Sequence, residues 1–377
     1  MSINPNDMNF NLNITFLGDL MLGREVGANC KLNNNPIVSN EIKDVMSHSD
    51  FILANLEAPL AGNLKEEDDI MTFIADPKTL SEVKFIDAFS LANNHINDAE
   101  IKGVEETIKQ LNNKNFIWNG FYIDTYKPIL IEKKDFKCAI ICCTDVLNIQ
   151  ISDKNYKRKL LWLDSLEIDE CIKFYKNEGY FVILYVHGGI MFSRYPNPKF
   201  REILHSKIDK GGDLIVTVHP HVIGSQELYK DKLIFYSLGD FVMDGNSERR
   251  RSSMILNVKI DNNSCVTYDL LPTFIKKDLT TDLAQNKMKV KLLKSWNNSS
   301  QKLELNATKY RKFYKNAYRK EIFSHIMSTL IFQIKNKSLL DFIKLLFVRS
   351  KDFKNMARWM LKDTSKMRNN LEDKTML

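Results

Sequence analysis

A layered α/β fold is predicted by two features of this 377-residue chain. Between residues 12 and 260, short apolar runs of strand length alternate with longer segments of helical period, the pattern of strands and helices packed in layers. Several of those runs also end on a histidine or a carboxylate, the plan of a site at the carboxyl edge of parallel strands.

The first strand, Asn13–Leu17, leads into Gly18-Asp19. Phe51–Ala54 leads to Glu57, and Ile86–Leu91 to Asn93-Asn94-His95, with Asp98 three residues on. A helical pattern covers Ala99–Asn112. Cys138–Thr144 is a continuous apolar run in which Cys138, Cys142 and Cys143 read as small core hydrophobes. After a helix over Ser165–Asn177, the strand Phe181–Val186 ends in His187-Gly188-Gly189. A third helix, Lys199–Lys210, stops at Gly211-Gly212. Leu214–Val218 delivers His219-Pro220-His221, and Leu233–Leu238 is the next strand. Ser252–Ile260 and Cys265–Leu271 read as an antiparallel pair around Asp261-Asn262-Asn263. Beyond this the segments are rich in Lys and Arg with apolar residues at helical spacing. The reading is therefore a domain over 12–275 and a basic, mainly α-helical C-terminal extension over 276–377.

Composition sets the class. Hydrophobic residues make up 44% and charged residues 27%, the balance of an ordinary globular protein. None of the six cysteines has zinc-finger spacing, and the chain is too long for a disulfide-dense scaffold. The N-terminus MSINPNDMNFNLNITF has no basic segment followed by an apolar one, which predicts no signal peptide and a cytoplasmic location. The uncharged stretch Ile322–Ile334 is shorter than the ~20 residues a bilayer needs.

The net charge of +7 is unevenly spread: residues 271–377 hold 24 basic and 9 acidic residues (+15), leaving 30 basic and 38 acidic (−8) for residues 1–270. A tail of that sign suits an anionic partner, and a solvated helical extension suits it equally. Tyr310, Phe313, Tyr314 and Tyr318 interleave with basic residues as in a single-strand nucleic-acid binder. The apolar residues of 339–347, with Lys344, Arg349 and Lys351, favour instead peripheral contact with the inner membrane surface. Packing on the main domain or on a partner would use the same residues. Nucleic acid is the disfavoured partner.

The strand-end residues carry the chemistry. In His219-Pro220-His221 a constrained loop presents two imidazoles, a spacing suited to one metal or two adjacent metals; alone, such a pair is as easily a solvated or core-satisfied one. Asn94 offers a neutral oxygen and His95 a candidate general acid, although Asn and Asp also suit a turn and a helix cap there. The glycines after His187 permit close backbone approach to a ligand. Asp19 and Glu57 are anionic oxygen donors able to bridge two metals, and Arg24 can bind a phosphate or carboxylate. As a set they read as a site for one or two divalent ions, and mixed oxygen and nitrogen ligands suit Mn, Fe or Zn better than Ca.

The segments FLGDLMLGR, ANLEAP, SLANNHINDAEIKGVEETIKQL, VHGG followed by PNP, GGDLIVTVHPHVIGSQEL and IFYSLGDFVMD resemble, in order and over residues 12–245, the CapA family. That family is named for bacterial capsule and poly-γ-glutamate synthesis and is related to calcineurin-like metallophosphoesterases. The resemblance implies a layered metallophosphoesterase-like sandwich. It implies Asp19, Glu57, Asn94, His187, His219 and His221 as metal-site residues, His95 as proton donor and Arg24 as a substrate contact. Met21 departs from ordinary metallophosphoesterases, which have the histidine of D-x-H there, but agrees with what CapA-like proteins commonly have. Thr217-Val218 replaces the family's Gly-His, and Asp240 stands where its S-L-G-N-F segment has Asn. The expected function is a metal-dependent hydrolase or transferase of capsule, poly-γ-glutamate or surface-polysaccharide synthesis, acting on a phosphoester or a γ-glutamyl amide of an anionic polymer. Two alternatives are a non-catalytic assembly component of the capsule machinery and a nuclease-like nucleic-acid-binding protein.

Overall fold

The computed structural model describes residues 10–32, 36–64, 72–122, 125–146, 159–245 and 247–336. The chain divides into two units, Met1–His325 and Ile326–Leu377. The second is described only as the end of the last helix, so the apolar run at 339–347 and its basic neighbours lie outside the described residues.

Two mixed sheets form the first unit. The larger is built from β1 (Phe10–Leu20), β2 (Phe51–Leu56), β3 (Ala88–Ser90), β4 (Ile117–Asn119), β11 (Asp240–Val242), β12 (Ser252–Asp261), β13 (Val266–Ile275) and β14 (Thr281–Leu283). Its order is β14-β13-β12-β1-β2-β3-β4, with β11 also paired to β1. The smaller holds β5 (Ile129–Lys133), β6 (Phe136–Thr144), β7 (Phe181–His187), β8 (Leu214–Val218), β9 (Ser225–Tyr229) and β10 (Lys232–Tyr236). Its order is β5-β6-β7-β8-β10-β9.

The sheets pack face to face. Ile14, Phe16 and Leu53 of one meet Ile140, Tyr185 and Val216 of the other in a shared apolar layer. The outer face of the larger sheet is covered by α1 (Arg24–Leu32), α2 (Asn40–Met46) and α3 (Glu100–Asn113), through Val26, Ile42, Val104 and Leu111. The outer face of the smaller sheet carries α4 (Leu166–Asn177) and α5 (Pro198–Asp209), through Ile168, Ile172, Phe200 and Leu204. The result is a four-layer α/β sandwich, the fold class the sequence predicts. Strands β2, β7 and β8 are buried at every position, and for that reason they read as nearly continuous apolar runs.

Local chemistry fixes the helix starts. Asn197 accepts a hydrogen bond from the Phe200 N–H at 2.9 Å, with Pro198 next in line, while Ser165 and Ser39 cap α4 and α2. The expected helices agree with α3, α4 and α5 to within a residue or two, and the expected antiparallel pair is β12 and β13. Helices α1 and α2 and the short strands β4, β5, β9, β11 and β14 were not predicted. These segments are too short to show a period.

The change of character near residue 275 is not a change of unit. β14 extends the larger sheet beyond it. Helix α6 (Asn286–Ser300) adds Leu292, Leu293 and Trp296 to the inter-sheet layer. Helix α7 (Ala307–Asn336) places Tyr310 and Tyr314 against the outer face of the smaller sheet. The Tyr310 hydroxyl donates to the Pro196 carbonyl at 2.7 Å, and the Arg201 guanidinium lies 4.6 Å over its ring. Of the aromatics that suggested a nucleic-acid ladder, Tyr310 and Tyr314 are core residues, and Phe313 and Tyr318 pack half-buried against them. No helix among the described residues is long and apolar enough to cross a membrane.

One buried polar node ties α5 to β9 and β10. Glu227 accepts from Arg201 at 2.9 Å and from the Tyr236 hydroxyl at 2.7 Å, with His205 Nε2 3.0 Å away. Burial alone would raise the Glu227 carboxyl, but His205 and Arg201 outweigh it and hold it down at about 2. A folded-state value below the unfolded one means stability that is complete above about pH 4.5 and lost as pH falls toward 2, roughly 2–4 kcal/mol in all. Glu227→Gln is expected to lower stability most at neutral pH. Denaturant unfolding of both chains should show the gap narrowing from about pH 7 to about pH 3.5, and a gap independent of pH would contradict the assignment.

Candidate metal centre

The polar strand ends converge where the two sheets meet. Strands β1, β2, β3 and β11 deliver Asp19, Asn55 with Glu57, the loop Asn93-Asn94-His95, and Asp240; strands β7 and β8 deliver His187, and His219 with His221. The site is therefore a seam between two mixed sheets, where the sequence suggested the edge of one parallel sheet. Two Leu-Gly-Asp triplets meet at its base. β1 and β11 run parallel with Asp19 opposite Asp240, and the Asp19 N–H donates to the Gly239 carbonyl at 3.1 Å. A Cβ on Gly18 would stand 1.9 Å from that carbonyl oxygen, so only glycine lets the two strands approach this closely.

Asp19, Glu57, His187, His219 and His221 are all buried. Ligand atoms of Glu57, His187 and His219 lie within 4.8 Å of one another, and so do those of Asp19, Glu57 and His221. Glu57 is common to both groups. Both of its carboxylate oxygens are buried without a hydrogen-bond partner among the described residues, a costly state for a carboxylate that holds no cation.

Neighbouring groups fix the ring orientations. The Asn55 amide donates to Asp19 Oδ1 at 2.8 Å and lies 3.1 Å from His187 Nδ1. This turns His187 Nε2 toward Asn94 Oδ1 (2.8 Å), His219 Nδ1 (3.0 Å) and Glu57 Oε1 (3.7 Å). His221 Nδ1 is 2.7 Å from Asp240 Oδ1, and its Nε2 is 3.7 Å from Glu57 Oε1. Positive φ at His219 (104°) and His221 (56°) is unusual for non-glycine residues. It is held by the His219 N–H donating to Asp19 Oδ2 at 2.9 Å and the Phe192 N–H donating to the Pro220 carbonyl at 2.8 Å.

Electrostatics agree with the geometry. Burial raises the Asp19 carboxyl against the pull of His221 and His219. Burial, then Asp19 and Asp240, raise Glu57 well above the usual range. Burial pushes His187 and His219 well below the ordinary imidazole value. A divalent cation favours neutral imidazoles and ionised carboxylates, so the donor set present fits one.

His95 sits at the margin. Its Nδ1 is 2.7 Å from Asp98 Oδ2, its backbone N–H donates to Asn93 Oδ1 at 3.0 Å, and its ring stacks on Phe73 at 3.8 Å. Arg24 lies 5.2 Å over the same Phe73 ring and pairs with Asp244 at 3.0 Å. Met21 does not join the donor set: its sulfur accepts from the Gly23 N–H at 3.2 Å within the core. Thus the six residues read as metal-site residues come together, and His95 and Arg24 share Phe73 beside them. Sequence reasoning missed Asn55, Asn93 and Phe73. Asn55 has a signal, lying two residues before Glu57 in a strand whose side chains alternate.

Residues 13–245 match the family model described as bacterial capsule synthesis protein PGA_cap. The chain belongs to this family. Among PGA_cap relatives, the capsule biosynthesis protein CapA of Bacillus anthracis is 27% identical over 320 residues, covering 79% of this chain and 78% of its own. The PGA biosynthesis protein CapA of Bacillus subtilis (strain 168) is 26% identical over 291 residues, 75% of this chain and 76% of its own. Solved structures are more distant. The NAD nucleotidase of Haemophilus influenzae is 12% identical at a TM-score of 0.40, over 82% of this chain and 60% of that one. A hypothetical protein from Thermus thermophilus is 12% identical at 0.44, over 69% and 99%. Likeness at that level says nothing of activity.

Asn55 orients two donors without being one. Asn55→Ala is expected to weaken divalent-cation binding about 10- to 100-fold, read by calorimetric titration of chelator-treated protein. Unchanged affinity would mean that Asn55 only fills space.

Proposed function

We propose that this PGA_cap-family chain is a metal-dependent hydrolase or transferase of bacterial capsule or surface-polymer synthesis, acting on a phosphoester or γ-glutamyl amide of an anionic polymer. The observation that carries the reading is Glu57, buried between two donor groups with both oxygens unpartnered. Asp19, Glu57, Asn94, His187, His219 and His221 would hold one or two divalent ions, with Mn, Fe or Zn suited to such mixed donors. When bound, such an ion supplies an activated water and polarises the substrate oxygen.

The chain's own residues would do the rest. Asp98 holds His95 Nδ1, so Nε2 is the position from which His95 gives a proton to the leaving group. Phe73 fixes the imidazole plane by stacking. Arg24, anchored by Asp244, would bind an anionic group of the substrate. The basic C-terminal region would provide peripheral contact with the inner membrane surface.

A second reading, an assembly component without turnover, is favoured by Met21, which removes one expected ligand. His95 argues against it, since a scaffold has no need of an imidazole held by Asp98.

Protein purified without chelator is expected to contain Mn, Fe or Zn near stoichiometry by elemental mass spectrometry. The His219→Ala/His221→Ala variant should lose it, and a metal-free wild type that takes up none of these ions would remove the metalloenzyme. His95→Ala is expected to keep the metal yet abolish polymer production in a complemented strain. Normal production from that variant would select the assembly role.

A further inference from the structure

A cluster of arginines borders the metal centre. Arg250 Nε lies 3.5 Å from Asp240 Oδ2, and Asp240 Oδ1 is 2.7 Å from His221. The Arg250 guanidinium is 5.9 Å from the centre of the Phe192 ring, which is 6.3 Å from that of His221. The neighbouring Arg249 donates to the Phe192 carbonyl at 3.4 Å, and Arg194 follows two residues after Phe192. Nε of Arg249 and Nε of Arg250 are buried and make no hydrogen bond among the described residues.

This cationic corner holds one carboxylate from outside the metal cluster. Glu321 of α7 accepts at Oε2 from Arg194 Nε (3.1 Å) and from Arg249 Nη2. Arg194 is steadied by Ser295 Oγ at 2.6 Å. One turn on, the His325 ring stacks on Phe192 at 3.6 Å. Burial, reinforced by Arg250 and Arg249, holds the His325 imidazole down at about 3, so it adds no charge at neutral pH. Three arginines thus face two carboxylates, Glu321 and Asp240, and Asp240 is already engaged by His221.

We propose that Arg194 and Arg249, backed by Arg250, form a carboxylate-binding subsite beside the metal centre, and that Glu321 fills it as an internal ligand. The proposal rests on the reading of an acidic polymer as substrate: a carboxylate of that polymer would take the place of Glu321 and be held near His221. Two arginines converging on one carboxylate oxygen are a strong anion clamp. An internal competitor lowers the apparent affinity by the fraction of chains in which the subsite is open. Glu321 would therefore keep the subsite closed until a multivalent acidic chain displaces it.

The test is calorimetric binding of a short γ-linked glutamate oligomer, and separately of inorganic phosphate, to the full chain. Wild type, Glu321→Gln and Arg194→Gln are compared, each checked for thermal midpoint and metal content. Glu321→Gln is expected to bind the oligomer about tenfold more tightly, and Arg194→Gln at least tenfold more weakly. Equal or weaker binding by Glu321→Gln would overturn the proposal and make Glu321 a structural tie. Arginine-dependent binding of phosphate with none of the oligomer would overturn the carboxylate assignment. Metal-loaded chains that bind neither anion would remove the subsite and leave the metal centre standing. Arginine-dependent oligomer binding by a chain that takes up no metal would sustain the subsite and remove the metalloenzyme.

Discussion

The constraint on which this molecule turns is the burial of carboxylates Asp19, Glu57 and Asp240 against one another inside a protein. Removing an ionised carboxylate from water costs several kcal/mol even after relaxation, and here like charges are added to that cost. Three features answer it. Imidazoles of His187, His219 and His221 surround the acids, the Asn55 amide and the His219 N–H donate to Asp19, and Arg250 approaches Asp240. Glu57 has no such donor among the described residues. Its place in both donor groups suits the site to a cation, because the hydrogen bonds among the described residues leave Glu57 out.

The backbone bears that constraint in two places. At the base, β1 and β11 approach through Gly18 and Gly239, which brings Asp19 opposite Asp240. At the rim, the His219-Pro220-His221 loop takes two positive φ values that cost of order 1–3 kcal/mol each. The inter-sheet layer of Phe16, Tyr185 and Val216 supplies the rigidity, and the Tyr185 hydroxyl donates across it to the Leu17 carbonyl at 2.7 Å, two residues from Asp19. Packing, turn and site are thus one structure seen at three levels.

How much of this was legible follows from the same physics. Fully buried strands leave nearly continuous apolar runs, so β2, β7 and β8 and the polar residues at their ends could be read directly from FILANLE, VILYVHGG and LIVTVHPH. The seam could not, because which sheet a strand joins is decided by long-range pairing such as β1 with β11 and β12. Phe73 was illegible for a similar reason. It reaches His95 through the Asp98 carboxylate, which accepts both the Phe73 N–H at 2.7 Å and the His95 ring nitrogen. The basic tail was legible as charge but not as packing. Charge counts ignore which face is covered, and the side of α7 that carries Tyr310 and Tyr314 is buried.

Met21 and Asp240 act in opposite directions on the charge and donors of the site. Met21 withdraws an imidazole, since its sulfur turns to the Gly23 N–H, and Asp240 adds a carboxylate beside His221. A carboxylate behind an imidazole fixes its ring orientation: with Nδ1 2.7 Å from Asp240 Oδ1, the Nε2 of His221 faces Glu57 at 3.7 Å. The added negative charge also suits the site to a divalent ion. Arg250 then follows from Asp240, because a buried carboxylate with one oxygen unbonded calls for a cation nearby. Asp240 thus joins two halves of the site: it holds His221 toward Glu57 and brings Arg250 of the arginine corner up against it.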